Sequence, residues 1–465
     1  MLPIAEVLRR QCDDRILIID GAMGTMLQRH ELTEADFRGS RFAAHPRDLQ
    51  GNSDVLCLTR REIVQGVHRE YLEAGADLIE TNTFGATSIV QAEYGLEAFA
   101  YEMNVEAARL CREVCDEFTR RDPTRPRFVA GVLGPLNRTL SMSPKVEDPA
   151  YRAVTFEAVV RGYAEQVRGL LDGGAHLLLV ETIFDTLNAK AALVAIDDVL
   201  SERGLSRETD VPLMISVTIT DLSGRTLSGQ TIEAFWLSIE HARPFSVGLN
   251  CALGGVQMRP FLVELSRVAT TRLTCYPNAG LPNAFGGFDE DPCTTGGLLR
   301  GFAQEGLVNM VGGCCGTTPD HIREIAAHVA GLPPRPLPKA TDGFGAFARF
   351  SGLEPFVMRD DGNEVLVADM TVAYKVVRET FTSRVTLDRP KLQILVEYLN
   401  GPFSRLENRW EFRATGERAC DVVFFINYEF RSRMLGMMMG AVFDAAFRRF
   451  AEAFEKRADQ VYGRG

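Results

Sequence analysis

Short apolar runs rich in Val, Ile and Leu recur through the first two thirds of the chain, at 16–19, 77–79, 128–132, 177–180, 213–218, 247–250, 273–276 and 307–311. Each is continuous rather than alternating, the pattern of a strand buried on both faces of a parallel sheet. Between them lie longer segments with apolar residues at helical spacing, such as 62–74, 158–171 and 186–200, long enough for the crossover that parallel strands require. Eight strand-then-helix units in about 330 residues predict an α/β fold, a closed (β/α)8 TIM barrel; an open doubly wound sheet is the competing arrangement.

The stretch GLPPRPLPKATDGFG at 331–345 carries prolines at 333, 334, 336 and 338, a density that neither a helix nor an inner strand accommodates. It predicts a boundary, with a barrel over 1–330, a linker over 331–360 and a second domain over 361–465. Past it the pattern alternates in long runs, at 364–374, 379–387, 392–399, 406–412 and 419–430, and then turns helical over about 433–461. An antiparallel sheet with one closing helix, an α+β domain, is expected. Phe443, Phe447, Phe450 and Phe454 share one face of that helix, either as a core stripe on the sheet or as the lining of an apolar cavity.

Composition narrows the partners. A chain of 465 residues that is 46% hydrophobic can bury more than one core. The net charge of −11 opposes binding to a phosphate backbone, so no nucleic-acid partner is expected. The opening MLPIAEVLRRQCDDRILIID has charges every few residues and no apolar stretch of signal-peptide length. The uncharged run 434–443 is too short for a bilayer. A cytoplasmic protein without a membrane span is therefore expected, and in a reducing compartment a cysteine cluster points to metal or catalysis more than to disulfides.

Residues just after barrel strands gather at one mouth, where barrel enzymes place their active sites. Here these are Asp20 and Gly21, then Glu80, Thr81 and Asn82, Glu181 and Thr182, Asn250 and Cys251, Asn278, and finally Cys314 and Cys315. Cys251 and the vicinal pair follow the sixth and eighth runs, so a barrel brings them together across 63 residues of sequence. Three soft thiolates suit a tetrahedral zinc site that keeps one position open. The flanking run Gly312-Gly313-Cys314-Cys315-Gly316 lets the backbone bend both sulfurs toward one ion. Burial of two small apolar residues is the plainer reading of an isolated CC pair. Cys12, Cys57, Cys111, Cys115, Cys275, Cys293 and Cys420 lack such a context and read as packing residues, Cys275 being nearest to the mouth. His321 and His328 read as surface or core histidines.

The segments DGAMGTMLQ at 20–28, ETNTFGAT at 80–87, ETIFDTLNAKAA at 181–192, GLNCALG at 248–254, YPNAGLPN at 276–283 and GGCCGTTPDHI at 312–322 resemble the homocysteine S-methyltransferase family, in particular the homocysteine-binding module of cobalamin-dependent methionine synthases. SGLEPF at 351–356 is similar to the segment that comes after the barrel in those enzymes. The resemblance implies a zinc-dependent methyltransferase that converts homocysteine to methionine, with Cys251, Cys314 and Cys315 as zinc ligands and catalytic centre. It makes Asn278 a weak oxygen ligand that the substrate sulfur displaces. Asp20 and Glu181 would hold the substrate ammonium and the amides of Gly21 and Thr182 its carboxylate, and Asn250 belongs to the same substrate-binding set. The implied donor is methylcobalamin. The chain has no Asp-x-His-x-x-Gly cobalamin motif and no folate barrel, so a corrinoid- and folate-binding methionine synthase module would act in trans; betaine or S-methylmethionine is the alternative donor.

From about Asp361 to Tyr462, the segments DRPKLQ at 388–393, YLNGPFSRLENRWEF at 398–412 and FFINYEFRSRMLG at 424–436 resemble the START-like coenzyme Q-binding and polyketide cyclase family. This implies a helix-grip fold and a lipid or quinone ligand, and with it a rival reading of the whole chain as a lipid or quinone carrier. SGLEPFVMRDD stands where that family has an opening strand and two short helices.

Overall fold

The computed structural model describes residues 3–145, 147–148, 150–220, 223–338, 358–360, 363–374, 377–388, 391–400, 403–416 and 419–430. The chain divides into two units, Met1–Lys339 and Ala340–Gly465.

All eight expected barrel strands form: β1 (Leu17–Ile18), β2 (Leu78–Glu80), β3 (Phe128–Leu133), β4 (Leu177–Ile183), β5 (Leu213–Val217), β6 (Ser246–Gly254), β7 (Arg272–Asn278) and β8 (Met310–Val311). They pair in parallel in the order β1-β8-β7-β6-β5-β4-β3-β2. A parallel bridge between Ile19 and Leu78 joins the two ends, with Asp77 N–H donating to the Ile18 carbonyl at 2.7 Å and Asp20 N–H to that of Leu78 at 3.1 Å. The sheet is therefore a closed barrel, and the open alternative is excluded. Crossover helices occupy the intervals, among them Arg61–Glu73, Phe156–Asp172 and Thr186–Glu202.

Two cores follow from the period of two along a strand. Leu17, Ile19, Leu78, Phe128, Ala130, Val132, Leu177, Leu179, Met214, Tyr276 and Met310 pack together as the barrel filling, while their neighbours Ile18, Ile79, Val129, Leu178, Val180 and Ile215 pack outward with the helices. The N-terminal helix Ile4–Asp14 adds Leu8 and Cys12 to the inner cluster, and Cys314 packs against that cluster from the loop after β8.

Several strands run further than their apolar runs indicate. Glu80 closes β2, Glu181 and Thr182 lie inside β4, Cys251 inside β6, and Asn278 ends β7. Hydropathy marks where a strand is apolar, whereas backbone pairing continues into the polar residues of the mouth.

The second unit holds a six-stranded antiparallel meander: β9 (Met358–Asp360), β10 (Asn363–Tyr374), β11 (Val377–Asp388), β12 (Gln393–Asn400), β13 (Phe403–Gly416) and β14 (Ala419–Phe430), paired in sequence order. β9 is one strand more than the alternation predicts. The expected closing helix with its four phenylalanines, most of the expected linker, and SGLEPF lie outside the described residues. No helix of the described residues is long and apolar enough to cross a membrane.

Candidate metal and substrate site

The three cysteines singled out by sequence converge. Cys251 comes from β6, and Cys314 and Cys315 from the turn after β8; their sulfurs all lie within 4.8 Å of one another, with Cys251 Sγ and Cys315 Sγ 3.7 Å apart. Backbone bonds fix the pair against β7, since Cys314 N–H donates to Pro277 O at 2.8 Å and Ala279 N–H to Cys315 O at 2.9 Å. The glycines act differently from expectation. Gly312 and Gly313 keep negative φ, and only Gly316 is left-handed, at +82°. At Gly313 a Cβ would stand 2.5 Å from the Thr317 side chain, so its role is close packing under the turn.

The sulfurs bias one another's ionisation. Hydrogen bonds with Cys251 and then Cys314 bring the Cys315 thiol down to about 3, against the opposing effect of burial. Cys314 is pushed well above the ordinary range by its bonds to Cys251 and Cys315 and by burial. For Cys251 a lowering bond with Cys314 is outweighed by its bond to Cys315 and by burial, so it rises to about 11. Three sulfurs this close, hydrogen-bonded to one another, are a donor set that a thiophilic cation would hold as thiolates. The Asn278 Oδ1 atom, at the end of the strand that braces the pair, is buried without a partner, which fits a neutral oxygen donor.

Backbone strain aims these groups. Cys251 and Ala252 have φ of 61° and 59°, and Thr182 has 53°; a non-glycine residue there costs of order 1–3 kcal/mol. The strain coincides with breaks in register, between Asn250 and Gly254 in β6 and between Val180 and Ile183 in β4, where bulges redirect side chains. Asn250 holds both bulges. Its Oδ1 accepts from Thr182 N at 3.2 Å and Ser216 Oγ at 2.7 Å, its Nδ2 donates to Thr182 Oγ1 at 2.8 Å and Glu181 Oε2 at 3.3 Å, and its carbonyl accepts from Thr218 Oγ1 at 2.9 Å. Every polar atom of the Asn250 side chain is thus engaged within the protein. The Thr182 amide, expected to meet a substrate carboxylate, is occupied by Asn250. Gly21 is buried at the mouth, where an added Cβ would stand 2.7 Å from the Tyr71 ring.

Three carboxyls lie within electrostatic reach of one another. Glu181 is buried, with Tyr276 Oη 3.4 Å from its Oε2; burial and then the neighbouring Cys251 push it up to about 8, against the Tyr276 bond. Asp20 is buried and lies well above its usual range because of burial and the charge of Glu181, although its Oδ2 accepts from Glu80 N at 3.1 Å. Burial, Glu181 and Asp20 push Glu80 up as well. Sequence reading placed Glu80 at the mouth without giving it a role. A signal was present, since Leu78-Ile79-Glu80-Thr81 repeats as Leu179-Val180-Glu181-Thr182.

Elsewhere Cys12, Cys57, Cys111, Cys115 and Cys275 are buried packing residues, but Cys293 is exposed. The helix Pro292–Gln304 begins beside it and keeps it at the surface, so the packing role expected of Cys293 is corrected. Cys420 has no described side chain. His321 caps the helix Pro319–Val329 through Thr318, and His328 bonds the Glu324 carbonyl; neither approaches the three sulfurs as a ligand.

Comparison with known proteins adds to this geometry. The family described as homocysteine S-methyltransferase matches residues 17–329, and the family described as polyketide cyclase / dehydrase and lipid transport matches residues 344–455. Two solved structures of the homocysteine methyltransferase MmuM from Escherichia coli share the barrel fold. The oxidised form is 23% identical with a TM-score of 0.53, and the metallated form 22% identical with 0.52; each comparison covers 70% of this chain and 99% of the other.

Proposed function

From the premise that this chain belongs to the homocysteine S-methyltransferase family, we propose that its barrel methylates the thiol of homocysteine to give methionine, with zinc held by Cys251, Cys314 and Cys315. The observation that carries this reading is the meeting of three sulfurs from β6 and the post-β8 turn beside a buried acidic cup. Bound zinc supplies the Lewis acidity that keeps a coordinated substrate sulfur deprotonated at neutral pH. Asp20 and Glu181 take the substrate ammonium, whose charge favours their ionised forms. The Asn278 Oδ1 atom is the weak oxygen donor beside the metal. Asn250 keeps Glu181 and the strained segments of β4 and β6 in register, so that thiol and ammonium of one substrate molecule are oriented together.

The donor we propose is methylcobalamin carried by a separate corrinoid- and folate-binding module, in the cytoplasm, with betaine or S-methylmethionine as the competing donor. Metal analysis and a methyl-transfer assay offering the three donors in parallel test the reading. About one zinc per chain is expected, lost in Cys314→Ala together with activity. Protein that holds no zinc and methylates nothing would sink it.

For the second unit we propose an apolar ligand, a lipid or quinone; the match of residues 344–455 to a lipid-transport family supports this. Mass spectrometry of copurifying small molecules is the test. Bound quinone in a protein without zinc would favour the carrier reading of the whole chain, and nothing apolar bound would end it.

A further inference from the structure

We propose that Glu80 is a third substrate-binding carboxylate, which with Asp20 and Glu181 forms a cup selecting thiols that bear a free primary ammonium. The inference rests on the methyltransferase reading and deepens it. Glu80 lies two residues beyond Leu78, an inner-core residue, as Glu181 lies two beyond Leu179; the period of two therefore turns both carboxylates inward. The bond from Glu80 N to Asp20 Oδ2 at 3.1 Å sets those two residues side by side across the seam where the barrel closes.

The cup lacks its counter-charge. Among the described residues neither Asp20, Glu80 nor Glu181 makes an ion pair, and the buried Asp20 Oδ1 and Glu80 Oε1 atoms have no hydrogen-bond partner. Where the barrel buries an acid for structure it neutralises it: Asp77, at the other end of β2, is held by Arg15 at 2.7 Å and Arg125 at 2.8 Å. An unpaired buried carboxylate is costly, so the buried Asp20 and Glu181, with the half-buried Glu80 beside them, point to a cationic ligand. A primary ammonium offers three N–H donors, one for each carboxylate. A thiol without the amine, or with it acylated, offers no cation.

The test compares homocysteine with its des-amino analogue 4-mercaptobutanoate, on the zinc-loaded full chain, by methyl transfer and by calorimetric binding. Glu80→Gln should raise the KM and Kd for homocysteine about tenfold, the range of a charge-assisted hydrogen bond, with kcat, zinc content and the 4-mercaptobutanoate parameters unchanged. Selectivity between the two thiols then falls by the same factor. Equal losses for both thiols, or no loss, would overturn the assignment and leave Glu80 a structural residue. Should Glu80→Gln fail to fold, Glu80→Asp, which draws the carboxylate back by one methylene, should lose the same selectivity, and its retention overturns the proposal. Wild-type protein that neither binds nor methylates homocysteine overturns the parent reading and this one together.

Discussion

Asn250 commits every polar atom of its side chain to the protein, to Thr182, Ser216 and Glu181. A side chain so engaged holds its neighbours in place, and losing a partner of this kind costs about 10–100-fold in activity or metal affinity. Asn250→Ala should therefore lower kcat/KM for homocysteine by that factor while the protein stays folded, as steady-state kinetics beside circular dichroism would show; full activity would remove Asn250 from the positioning role. The sulfur trio was legible from residue type and spacing. The work of Asn250 was not, because which strand its amide reaches depends on the stagger of β4, β5 and β6, and no local pattern in the chain encodes that stagger.

Among the elements, the seam between β1 and β2 has the thinnest pairing of the barrel, a single bridge between Ile19 and Leu78. Asp77 reinforces it, accepting from Ile18 N at 2.9 Å and from Arg15 and Arg125. Burial raises its carboxyl, but the hydrogen bond and charge of Arg15 and then the charge of Arg125 outweigh burial and hold it below its usual range. A folded-state pKa below that of the unfolded chain stabilises fully above about pH 3.9 and is lost as pH falls through the folded value. Asp77→Asn should cost about 2–3 kcal/mol near neutral pH, discounted because both arginines are a third exposed, and should flatten the acid limb of a urea-denaturation series. An unchanged acid limb would show that the seam does not depend on this charge. Eight apolar runs announced the strands, but their upper ends were misplaced in β2, β4, β6 and β7, where polar site residues continue the ladder.

At the level of the whole molecule, each unit carries its own sheet, one parallel and closed, the other an antiparallel meander, and the thiol cluster lies within the first. A ligand stabilises only the folded form that binds it. Differential scanning calorimetry is expected to show two transitions, of which zinc chelation lowers one and leaves the other in place; a single transition moved as a whole would mean that the units unfold together. Residue chemistry and hydrophobic period by themselves determined the eight strand-and-helix units, the antiparallel tail and the choice of the three cysteines, because period and residue type are properties of neighbouring positions. Only the tertiary structure decided that the strands close into a ring, that Cys251 reaches the vicinal pair through a strained bulge, and that Glu80 lies beside Asp20 at the seam. Each of these depends on groups far apart along the chain sharing one small, poorly solvated volume, where charge and backbone strain take their energies from distance rather than from order in sequence.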